Sequence, residues 1–102
     1  MKDIYFFPAI FTCTEEGISV VFPDLHGCVT CGDDYAEASF MAHDCLAAWL
    51  YTSERDNEII PEPSNPLKLK NELRDNQLVV PIEIFMPAVR SRFSKFDEKQ
   101  VI

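Results

Sequence analysis

Phe22-Pro23-Asp24-Leu25-His26-Gly27-Cys28-Val29-Thr30-Cys31-Gly32-Asp33-Asp34 is the stretch that decides how this chain folds. Two short β-type runs meet at its Pro-Asp…Gly turn, because proline presets φ for a turn and glycine accepts the positive φ that closes one. The second run ends at Gly32-Asp33-Asp34, where an aspartate can cap a helix by accepting a backbone N–H from its first turn. Strand, tight turn, strand and capped helix follow one another. The segment carries no phosphate-cradling run of glycines and no nucleophile motif. It points to recognition rather than catalysis.

Working upstream, residues 4–13 are rich in aromatic and β-branched types and predict a first strand. Pro8 lies inside that run, so a bulge or an unpaired backbone position is expected there. Thr14-Glu15-Glu16-Gly17 supplies a hairpin turn. Ile18-Ser19-Val20-Val21-Phe22 is the second strand, with Ile18, Val20 and Phe22 on one face, and Cys28-Val29-Thr30-Cys31 is a short third. Three sequential strands joined by short turns predict an antiparallel meander.

Downstream, Asp34 reads as an N-cap with Glu37 at the reciprocal capping-box position, and Asp33 and Asp34 favour the helix dipole. Residues 35–52 keep a helical period, with Tyr35, Ala38, Met41, Ala42, Cys45, Leu46, Trp49 and Leu50 forming one apolar stripe. Small Ala38 and Ala42 let that helix lie close on the sheet. Glu37, His43, Asp44 and Ala47 fall mainly on the other side. Residues 53–66 form a proline-punctuated connection. Residues 78–86 are the fourth strand, with Val80, Ile82, Ile84 and Met86 on its buried face. Pro81 removes a backbone donor and predicts an edge position. Pro87 can open a short helix over residues 87–93.

With 102 residues, 47% of them hydrophobic, the chain fits one domain whose core needs no disulfide or metal support. Nine Lys and Arg against seventeen Asp and Glu give a net charge of −8, which disfavours phosphate backbones and favours basic partners. The imbalance is uneven. Residues 1–86 hold five basic and fifteen acidic groups (net −10), and residues 87–102 hold four and two (net +2). No apolar run approaches the roughly 18 residues that cross a bilayer, and the N-terminus lacks a signal-peptide pattern. The expectation is a cytoplasmic protein away from membranes, with Cys13, Cys28, Cys31 and Cys45 as reduced thiols.

The motifs resemble those of HicB-type antitoxins, the protein half of a toxin–antitoxin pair. Tyr5-Phe6-Phe7-Pro8-Ala9-Ile10-Phe11 is similar to the family's opening strand. Phe22-Pro23-Asp24-Leu25, Gly27-Cys28-Val29-Thr30 and Gly32-Asp33 resemble its signature turn and third strand. Glu37-Ala38, Ala42, Leu46 and Trp49-Leu50 fall where its helix is small or apolar, and Ile60-Pro61-Glu62-Pro63-Ser64 resembles its exit loop. The likeness runs from about residue 5 to about residue 93.

The resemblance implies an α+β fold: a β-β-β-α-β partial RNase H-like domain, with a four-stranded mixed sheet and one main helix on one face. It places that domain at residues 1–94 and a C-terminal tail at 95–102. It implies an antitoxin of a type II system that binds and occludes a HicA-like mRNA interferase. An orphan oligomeric binding module of the same fold, without a toxin, is the alternative. Many family members continue into a DNA-binding domain near where this chain stops, so this chain alone is not expected to bind DNA specifically. The family usually keeps a polar residue where Phe40 stands, which marks Phe40 for a subunit or partner contact.

Several sharper chemistries have weaker grounds. A nuclease site needs carboxylates converging on divalent metal. The candidates Asp3, Asp24, Asp33, Asp34 and Asp44 lie before a strand, in a turn, at a helix cap and on a helix, with none in the middle of the first strand. Cys28-x-x-Cys31 beside His26 lacks a second Cys-x-x-Cys for zinc, and residues three apart on a strand point to opposite faces. The same pair lies before the helix cap rather than at a helix start, which argues against a thioredoxin-like couple. His26 and His43 have no adjacent nucleophile, and aromatic stacking of RNA on Phe6, Phe7 and Phe11 conflicts with the acidic body. The reading is therefore a binding protein with no catalytic residues, no metal and no cofactor. Its partner-binding residues are expected among Asp24, Asp33, Asp34 and Glu37. The sheet face away from the helix, with Phe6 or Phe7, Val21 and Val29, needs cover, so a homodimer or higher homo-oligomer is expected through it or through an edge strand.

Overall fold

The structure is a computed structural model that describes residues 2–100, with side chains through Lys95. Three strands come first: β1 (Ile4–Thr14), β2 (Gly17–Val21) and β3 (Val29–Gly32). Helix α1 (Tyr35–Arg55) and the short α2 (Pro66–Lys70) lead to β4 (Gln77–Phe85), and α3 (Met86–Gln100) follows without a break. The strand order is β3-β2-β1-β4. The α+β class, the meander and the edge position of β4 are as the sequence predicts. The sheet is not mixed, however: every pairing is antiparallel. The connection through α1 and α2 brings β4 back beside β1 running the opposite way, so no parallel crossover forms.

The β1–β4 ladder keeps one register from Ile4↔Phe85 to Thr12↔Gln77 and sets Pro8 opposite Pro81. No bulge interrupts it. Two residues without an N–H cannot exchange ladder bonds, so the ladder continues past them only at a non-hydrogen-bonded position. The two prolines answer each other.

Alternation sorts the strands, with one exception: Pro8 is buried although it lies on the other face from Phe7 and Ala9. Phe7, Ala9 and Phe11 of β1, Ile18 and Val20 of β2, and Ile82 and Ile84 of β4 are buried on the face that carries α1. A buried phenylalanine contributes about 2–3 kcal/mol, against about 1 kcal/mol for a helix cap. Register therefore follows the apolar alternation, since a one-residue slip would expose the whole set.

Helix α1 packs through Ala38, Ala42, Leu46 and Leu50. Its approach at the N-terminal end is set by Gly32, where an added Cβ would lie 2.4 Å from the Ala38 backbone nitrogen. Glycine here is a matter of space. Ala47, expected on the outer side, is buried. The reason is α3, which packs along that side of α1, with Phe93 stacked on Tyr51 at 5.1 Å between ring centroids. Tyr35 and Met41, expected in the buried stripe, are instead half-exposed. Of the expected tail 95–102, Val101 and Ile102 lie outside the described residues.

Candidate binding face

The N-terminus of α1 is built by reciprocal capping. Asp34 Oδ1 accepts the Glu37 N–H at 2.8 Å, and Glu37 Oε1 accepts the Asp33 N–H at 3.1 Å. The cap is shifted by one residue from the usual box, since Glu37 reaches Asp33 rather than the N-cap itself. Tyr35 anchors this end to β1. Its ring stacks against Phe11, and its hydroxyl lies 3.1 Å from Cys13 Sγ. That contact, more than partial burial, raises the Tyr35 pKa.

Three of the four carboxylates expected to bind a partner, Asp33, Asp34 and Glu37, thus meet at one helix end, and all three are exposed. Beside them Glu37, Phe40, Met41 and Asp44 follow i, i+3, i+4, i+7 spacing and form one outward stripe. Phe40 is 67% exposed and Met41 37%. An apolar pair framed by carboxylates is the result. The family resemblance marks Phe40, whereas the helical spacing of Met41 fits the core stripe equally well and so does not single it out. Asp44 is only partly free, since Arg92 of α3 reaches its Oδ1 at 3.4 Å.

Asp24, the fourth carboxylate, has a different task. Its Oδ2 accepts the Ser64 N–H at 2.8 Å, and its Oδ1 accepts the Ser64 hydroxyl. That clasp ties the proline-rich connection to the turn of residues 23–28. The same turn is held to α1 by Trp49, whose Nε1–H donates to the His26 carbonyl at 3.1 Å. Asp3 is likewise occupied, paired with Arg90 at 2.9 Å. Among the described residues no group of three or more His, Cys, Asp or Glu is arranged to hold a metal ion, and no helix is long and apolar enough to cross a membrane.

The opposite sheet face carries a second surface. The registers align Val29, Val21, Ile10 and Val79 in one row across all four strands, with Pro8–Pro81, Phe6–Glu83 and Ile4–Phe85 stepping away from it. Val29, Phe85, Ile4, Phe6 and Val21 are each 41–58% exposed. It is Phe6 that faces outward here; Phe7 is core. Glu83 is the one charged residue among these rows.

A four-stranded antiparallel sheet with helices, an acid-framed helix end and an exposed apolar sheet face define a small α+β domain. The chain belongs to the HicB_like antitoxin family of bacterial toxin–antitoxin systems, whose model matches residues 7–97. Solved structures agree in fold. A chain of the HicA3 and HicB3 toxin–antitoxin complex is 22% identical, with a TM-score of 0.63 over 76% of this chain and 95% of that one. A chain of the toxin–antitoxin complex from Streptococcus pneumoniae is 19% identical, with a TM-score of 0.69 over 83% of this chain and 71% of that one. The N-terminal domain of Burkholderia pseudomallei antitoxin HicB is 18% identical, with a TM-score of 0.59 over 78% and 95%. No curated protein matches the sequence.

Proposed function

We propose that this protein neutralises a HicA-like mRNA interferase in the cytoplasm by covering it, contributing no chemistry of its own. The observation that carries the reading is the N-terminal face of α1, where Asp33, Asp34 and Glu37 frame exposed Phe40 and Met41. A basic partner gains on encounter from the −8 field, and an exposed aromatic between carboxylates supplies the apolar anchor that binding surfaces need. Membership of the antitoxin family supports the same partner class.

The sheet face suits a different occupant, a second copy. Two chains of net charge −8 repel each other over most of their surface. The Val29–Val21–Ile10–Val79 row and its neighbours offer one carboxylate among apolar residues, so like-charge repulsion is least there. Light scattering of the chain and of Val21→Lys tests this arm: a dimer lost on substitution supports it, and a monomer at both compositions removes it. The antitoxin reading is tested by titrating the chain into an RNA-cleavage reaction of a small basic HicA-like protein from the same operon. Inhibition that saturates at a fixed ratio supports occlusion. Undiminished cleavage without complex formation on a sizing column rejects it in favour of a toxin-free binding module.

A further inference from the structure

Cys28 sits at the end of the turn of residues 23–28, and Cys45 lies midway along α1, yet their sulfurs are 3.7 Å apart. The Cys-x-x-Cys spacing draws attention to Cys28 and Cys31, but the fold pairs Cys28 differently. Cys31 is exposed on β3, whereas Cys28 is only 1% exposed among the core residues. We propose that Cys28 and Cys45 form an oxidisable dithiol that closes to a disulfide and staples the turn before β3 onto α1.

Geometry supports closure in place. Bond formation needs the sulfurs to approach to about 2.05 Å, and they already lie in van der Waals contact. The backbone is already fastened on both sides of the pair. Cys45 Sγ contacts the Val29 carbonyl at 3.6 Å, and one helical turn on, Trp49 holds the His26 carbonyl at 3.1 Å. Access is one-sided. Cys45 is partly exposed and lines a cleft of about 420 Å³ with His26, Ala48, Trp49, Thr52 and Glu58. A small disulfide can therefore reach Cys45 while Cys28 stays covered.

The chemistry is a two-electron exchange with a low-molecular-weight disulfide such as oxidised glutathione. The Cys45 thiolate attacks one sulfur of the oxidant, forming a mixed disulfide and releasing one glutathione thiolate. Cys28 then gives up its proton to solvent and attacks Cys45 Sγ, releasing the second glutathione. One protein dithiol and one small disulfide become one protein disulfide and two small thiols. Burial pushes the Cys28 thiol up from its ordinary range, and the charge and hydrogen bond of Cys45 add to the shift. Cys28, covered where Cys45 is open to the cleft, is thus the resolving thiol, and its step speeds up as pH rises and more of it ionises.

The test is incubation of the intact, folded protein with oxidised glutathione, followed by alkylation and peptide mapping, with circular dichroism confirming the fold. The expected product is a Cys28–Cys45 cross-linked peptide with a loss of about two mass units, formed in Cys31→Ser as well and absent in Cys45→Ser. In urea the selectivity should vanish, because the fold is what brings these two sulfurs together. Stable glutathionylation of Cys45 with Cys28 free, pairing of Cys28 with Cys31, or four alkylated cysteines in the folded protein would each overturn the proposal.

Discussion

Asp24 and Ser64 are joined by two hydrogen bonds across forty residues of chain, one from the Ser64 N–H and one from its hydroxyl. Both carboxylate oxygens are used, so the signature turn and the proline-rich connection behave as one unit. Asp24→Ala leaves both Ser64 donors without their acceptor and should cost about 2 kcal/mol. Asp24→Asn keeps one acceptor oxygen and should cost about half as much. Urea unfolding of the two variants checks the order.

Arg90 joins α3 to α1 and to the start of the chain. Its guanidinium grips Glu54 in a fork at 3.0 and 2.9 Å, reaches Asp3 at 2.9 Å and donates to the Lys2 carbonyl at 2.6 Å. The Glu54 side chain is 7% exposed, so it has little water to fall back on. Arg90→Met should destabilise by about 3 kcal/mol, because removing one partner strands a buried charge. Glu54→Gln combined with Arg90→Met should recover part of that loss. A double-mutant cycle measures the coupling.

Gly32→Ala should destabilise by about 3 kcal/mol, since its Cβ would press on the Ala38 backbone, which cannot rotate away. Gly27→Ala is the contrast. Its Cβ would meet nothing within 4 Å, and the cost of about 1 kcal/mol comes only from its φ of +77°. Thermal unfolding of the pair separates crowding from backbone strain.

Phe40→Lys and Glu37→Lys address the partner face. Phe40 is exposed, so its replacement should leave stability within about 0.5 kcal/mol of the parent. It should weaken binding to a HicA-like partner by about 2 kcal/mol, some thirtyfold. Glu37→Lys should slow association and also loosen the helix cap. Binding kinetics at two salt concentrations distinguish an anchor from a steering charge.

Alkaline pH should unfold the protein through groups held protonated in the native state. Burial raises Cys28 first of all, and Tyr5 is raised by burial and then by the Glu54 charge. A raised native pKa means the folded chain binds more protons, so this stability is complete below the unfolded values and falls as pH rises through them. Above the ordinary thiol pKa of about 8.5, Cys28 should therefore make stability fall as pH rises. Cys28→Ala starts from lower stability but should show a flatter decline in urea midpoints.

Much of the architecture is written locally. The alternation of Phe7, Ala9 and Phe11, the Asp34 cap, the helical stripe of Ala38, Ala42, Leu46 and Leu50, and the edge-marking Pro81 each act within a few residues, where periodicity and backbone chemistry are sufficient. Helix α2 leaves no periodic signature, because five residues are too few to show one. The burial of Ala47 has no local signature because it depends on α3, forty residues further along the chain.

The candidate site divides the same way. Asp33, Asp34 and Glu37 were legible as a group because capping is local. Asp24's bond to Ser64, Arg90's hold on Glu54 and the meeting of Cys28 with Cys45 were not, because nothing near any of these residues specifies its distant partner. By itself the sequence determined the four strands and the main helix, most of their buried faces and the acidic character of the surface. Only the tertiary structure decided which distant side chains meet and that β4 returns antiparallel beside β1. Those pairings arise when packing the apolar faces brings remote segments together, and no local pattern of residues records the result.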